Sequence, residues 1–85
     1  MRLRYGQVMT LNAEEWTGRF AAKLGTVPPS DQERGSLLDL AGVAAHASER
    51  TAAPISCWLA ARAGAGPDEA LSLARQLAEE LAAEG

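Results

Sequence analysis

Eighty-five residues and 8.9 kDa leave room for one domain and one core, and surface scaling at that size buries only about 60% of the unfolded surface, too little for a deep active-site cleft. The net charge is −3, and the segment from Met9 onward carries eleven acidic against six basic side chains, which excludes a general nucleic-acid binder needing a basic stripe to displace counterions. A lone Cys57 excludes an internal disulfide and a two-cysteine metal knuckle and suits a reducing cytoplasm, and no stretch approaches the roughly 20 apolar residues that span a bilayer.

Residues 1–10 show no helical period and only a weak alternation in Leu3, Tyr5 and Val8. They are read as a flexible N-terminal tail, without the apolar run of a signal peptide. Residues 11–85 are read as a single helical domain, because alanine dominates the apolar content and favours helix over strand.

Helix 1 is expected to begin at the N-cap Asn12, with Glu15 three residues on completing a capping box, and to end at Gly25. Ala13, Trp16, Phe20 and Leu24 form its expected buried stripe. Pro28 and Pro29 then forbid helix, and Ser30 with Glu33 makes a second capping box that opens helix 2. Helix 2 is expected to reach Glu49 or Arg50, with Leu37, Leu38, Ala41, Ala44, Ala45 and Ser48 towards the core, Leu40 and Ala47 on the flank, and Asp39, His46 and Arg50 opposite. Pro54 opens a short helix 3, whose expected core face is Ile55, Trp58 and Leu59, with Arg62 on the same arc and placed to stack on Trp58. After Gly64-Ala65-Gly66, Pro67, Asp68 and Glu69 start helix 4, whose expected buried line is Ala70, Ala74, Leu77 and Leu81. Arg75 is expected to pair with Glu79 on the outside of that helix. The fold class that follows is all-α, a small irregular antiparallel four-helix bundle.

Chemistry-bearing residues are few. His46 is the natural place to look for acid–base work or a metal, yet it has no second histidine and no E-x-x-H spacing, so no metal and no cofactor is expected. Cys57 is expected to be a small packed side chain rather than a nucleophile. The weak binding candidates are Asp39, His46 and Arg50, which share a helix face with Gly35 and Gly42, together with Arg62. That face is either packed over by another segment or left as a shallow groove that a partner enters.

The string LLDLAGVAAHASERTAAP, Leu37 to Pro54, followed by a tryptophan and a leucine, resembles a small all-helical actinobacterial domain of unknown function. The resemblance covers about Met9 to Gly64. That family stands alone or is fused to a nucleotidyltransferase of the molybdenum-cofactor guanylyltransferase type. The resemblance therefore implies an accessory role beside cofactor biosynthesis, with the chemistry done by the other domain, and it supplies no active-site residues.

The expected function is that of a non-enzymatic accessory or protein-interaction module in the cytoplasm. Its expected partner is a protein, with a nucleotidyltransferase the candidate that the resemblance supplies, and neither nucleic acid nor membrane is expected to bind. Two other readings are a small-molecule-binding or catalytic domain using His46 and Arg50, and a homodimer through an alanine-rich face.

Overall fold

The computed structural model describes residues 11–85 as four α-helices: α1 (Ala13–Leu24), α2 (Asp31–Ala47), α3 (Ala52–Arg62) and α4 (Pro67–Glu84). The expected flexible tail, residues 1–10, lies outside the described residues. No strand occurs among the described residues, and the architecture is consistent with the expected small, irregular all-α four-helix bundle.

The helix starts follow from local chemistry. Asn12 Oδ1 accepts from the Glu15 N–H at 2.8 Å while Glu15 Oε1 accepts from the Asn12 N–H at 2.9 Å, and Ser30 and Glu33 repeat the reciprocal pair at the head of α2. Each box satisfies donors that the first turn of a helix leaves orphaned. Gly25 closes α1 at φ 80°, a left-handed conformation that only glycine adopts without cost, and the Thr26 N–H then reaches back to the Ala21 carbonyl at 2.9 Å.

Two boundaries differ from expectation. α2 stops at Ala47 because Ser48 leaves the helical region (φ −136°, ψ −100°), so Glu49 and Arg50 lie in the connection rather than in the helix. Their carbonyls accept the Ala52 and Ala53 N–H groups at 2.9 and 3.1 Å, which launches α3 two residues before Pro54. The proline is tolerated there because an N–H in the first turn of a helix has no intrahelical acceptor to lose.

α2 is the central element, with α3 on one side and α4 on another. Ser36 Oγ donates to Asp68, Asp39 faces Arg75, and Ala47 lies level with Ala82, so α2 and α4 run parallel and α3 runs back between them in the chain. The core is Leu40, 3% exposed, with Ala70 and Leu71 of α4. Leu37, Val43, Cys57, Ala60, Ala65 and Ala74 pack around it. Four of these nine are alanines, and small side chains let the helices approach closely.

The buried faces depart from the periodicity in a consistent way. Leu40, expected on the flank of α2, is its centre, whereas Leu38 and Ser48 are exposed, so the packed face is turned by about a quarter of a helical turn towards Asp39. In α1 the packed residue is Ala21, with Thr17 and Gly18 beside it, while Ala13, Trp16, Phe20 and Leu24 are exposed. In α3 the expected core residues Ile55, Trp58 and Leu59 are each more than half exposed, and in α4 Leu77 and Leu81 are about half exposed. The physical cause is a short inner seam: α1 is tied to the head of α2 by Arg34, which bridges Glu14 at 3.8 Å and Asp31 at 3.0 Å. The molecule is elongated, 54 × 26 × 19 Å with a radius of gyration of 15.4 Å, against about 12 Å for a compact chain of this length.

Truncating Leu40 to alanine is expected to cost about 3 kcal/mol, whereas Leu38→Ala should stay within about 0.5 kcal/mol, since one empties the seam and the other trims an exposed side chain. Denaturant melts of the two variants side by side check this.

Candidate functional site

The quarter-turn of α2 decides where the candidate residues stand. Asp39 and His46 are brought from the far side of α2 to the edge of a groove that runs between the C-terminal halves of α2 and α4. The groove has a volume of about 830 Å³ and is walled by Leu38, Val43 and Leu81, with the alanines at 47, 78 and 82. That volume lies within the range of small-ligand pockets. Its polar features are Asp39, His46, Arg75 and Glu79.

Arg75 is the only basic residue of α4, and it leaves the expected in-helix pairing with Glu79 for a cross-helix contact in which its Nη2 lies 4.0 Å from Asp39 Oδ2. Both side chains are well exposed, so this pair adds little stability but holds opposite charges across the mouth of the groove. The Nδ1 of His46 lies 2.8 Å from the carbonyl of Gly42 one turn earlier. In the tautomer that donates this bond, Nε2 keeps a free lone pair for an incoming donor. Gly42 lines the groove; its missing side chain leaves open space, with nothing within 4 Å of where a Cβ would stand.

The other two candidates are elsewhere. Arg50 lies exposed in the α2–α3 connection and does not line the groove. Arg62 stacks its guanidinium over Trp58, 5.0 Å from the ring centroid, as the i,i+4 spacing implies. Trp58 is 57% exposed, so together with Ile55 and Leu59 it forms an apolar outer surface on α3 rather than core. Among the described residues no group of three or more histidine, cysteine or carboxylate side chains is placed to hold a metal ion.

Sequence reasoning missed Arg75 and Leu81 as site residues because the groove is a product of two helices 30 or more positions apart. The one signal available was that Arg75 is a lone cation in a helix otherwise carrying only acids.

A family model described as a domain of unknown function, DUF6457, matches residues 10–85. The chain belongs to the DUF6457 family. The match runs through α4, beyond Gly64, where the sequence resemblance ends, so both walls of the groove belong to the DUF6457 domain. No curated protein and no solved structure matches the chain. Among the described residues, no helix of the DUF6457 domain is long and apolar enough to cross a membrane.

Cys57 packs against the Leu40 cluster, and burial pushes its thiol above the ordinary value of 9.0 by disfavouring the thiolate. The raised folded-state value means that its contribution to stability is present below the unfolded pKa and is lost as the pH rises through the folded one. Iodoacetamide should therefore alkylate Cys57 of the folded domain more slowly than a free thiol at pH 8 to 9, and Cys57→Ser should flatten the loss of stability at alkaline pH. Equal alkylation rates in folded and unfolded protein would contradict this placement.

Proposed function

We propose that this DUF6457 domain is a non-enzymatic protein-interaction module of the cytoplasm, working as an accessory beside a nucleotidyltransferase of the molybdenum-cofactor guanylyltransferase type. The observation that carries the reading is the outer face of α3, where Ile55, Trp58 and Leu59 are exposed side by side and Arg62 is stacked on the indole. Tryptophan and arginine are the residue types most enriched at interface hot spots, and exposed apolar clusters of this kind mark contact surfaces. The nucleotidyltransferase enters through the resemblance of Leu37 to Pro54, and the cytoplasm through the unpaired cysteine.

Because Trp58 is exposed, Trp58→Ala should cost at most about 1 kcal/mol of stability rather than the 3 to 5 of a core aromatic. The same change should weaken binding to the purified nucleotidyltransferase by at least about tenfold, roughly 1.4 kcal/mol. Calorimetric titration of wild type and variant measures both the interaction and its dependence on Trp58. Wild-type protein that shows no binding, or binding that Trp58→Ala leaves unchanged, would sink the reading.

The groove supports a second reading, a small-molecule site in which Arg75 and His46 meet a ligand's polar groups while Leu38, Val43 and Leu81 cover its apolar part. It differs from the pairing of His46 with Arg50 in using Arg75 instead. A ligand screen by amide chemical shifts, with Arg75→Ala as control, tests it: binding there should move the signals of Asp39, His46 and Arg75 and vanish in the variant.

A further inference from the structure

The groove between α2 and α4 leaves its acceptors unmatched. Arg75 contacts Asp39 across the mouth, so Glu79, one turn further along α4, takes part in no ion pair among the described residues. His46 spends its Nδ1–H on the Gly42 carbonyl at 2.8 Å, which leaves Nε2 as an acceptor. Because Asp39 faces Arg75 and the two helices run parallel, Glu79 comes level with Val43, less than one turn before His46. An unpaired carboxylate on one wall and an imidazole lone pair on the other therefore border the same apolar stretch, lined by Val43, Ala78 and Leu81.

We propose that this groove binds a protonated amine carried on an apolar body, the ammonium donating to Glu79 and to His46 Nε2 while the alkyl or aryl part lies against Val43, Ala78 and Leu81. This rests on the second reading above, the groove as a small-molecule site, and moves the ligand's polar end from Arg75 to Glu79. Charge selects the cation. The charged residues lining the groove are Asp39, Glu79 and Arg75, two carboxylates against one guanidinium, so an anion drawn to Arg75 meets net repulsion whereas a cation meets net attraction. Hydrogen-bond direction selects an ammonium: it donates and never accepts, which matches two groups that here only accept. Gly42 leaves the head group room, since nothing stands within 4 Å of where its Cβ would be, one turn below His46.

The test follows the amide chemical shifts of the full chain while phenethylamine and hydrocinnamate, which share a phenylethyl body and differ in charge, are titrated in separately. The amine is expected to move the signals of Gly42, His46 and Glu79, and the acid to leave them in place. Glu79→Gln should weaken amine binding about fivefold. Glu79→Lys, which turns the balance to two cations against one carboxylate, should abolish amine binding and admit the acid. Both variants should keep the helical circular dichroism of wild type, because Glu79 is exposed. An amine that moves none of those signals overturns the proposal, as does an acid that moves them equally, or amine affinity indifferent to Glu79→Gln. If the acid binds instead and Arg75→Ala abolishes its binding, the small-molecule reading stands while the amine proposal falls.

Discussion

Everything in this domain hangs on the burial of Leu40. It is the one buried large side chain of α2, and four of the eight residues clustered with it are alanines, with Leu37, Val43 and Leu71 the larger ones. Alanine lets α3 and α4 come close to α2, yet it contributes little apolar area of its own, so the seam is tight and narrow. The two reciprocal capping boxes and the left-handed turn at Gly25 matter for the same reason: where tertiary burial is thin, helix ends must be satisfied locally.

A narrow seam has a consequence for the surface. Side chains that would form the interior of a larger bundle are carried outward, above all on α1, which Arg34 ties to α2 through Glu14. Monomeric proteins rarely keep large contiguous apolar patches in water. This domain carries exposed large apolar residues on α1, α3 and α4. α3 offers an aromatic with a stacked cation, whereas α1 presents a stacked aromatic pair and α4 a row of half-exposed leucines.

The groove between α2 and α4 is a concave feature of about 830 Å³ among the described residues. Its polar groups are a loosely held Asp39–Arg75 pair and a histidine already bonded to its own helix at Gly42. That set can orient a ligand, but no nucleophile stands beside a base in it. Cys57, the one nucleophilic side chain of another kind, is packed against the Leu40 cluster, where loss of hydration works against its reactive form.

Local features were legible in the sequence because their causes are local. The capping boxes at Asn12 and Ser30, the glycine stop at Gly25, the proline start of α4 and the stacking of Arg62 on Trp58 all depend on side chains within about one turn of each other, and each is present in the structure. The helical class followed from composition for the same reason. Which stripe of each helix faces inward was another matter, because an alanine-rich helix has several faces of similar apolarity and only the neighbour selects among them. Contact with α3 and α4 turned α2 onto Leu40, left Trp16, Phe20 and Trp58 outside, and moved Arg75 from Glu79 to Asp39. Periodicity reports what a helix could bury; what it does bury is set by the distance and direction from which the next helix arrives, and that information is held by the whole chain at once.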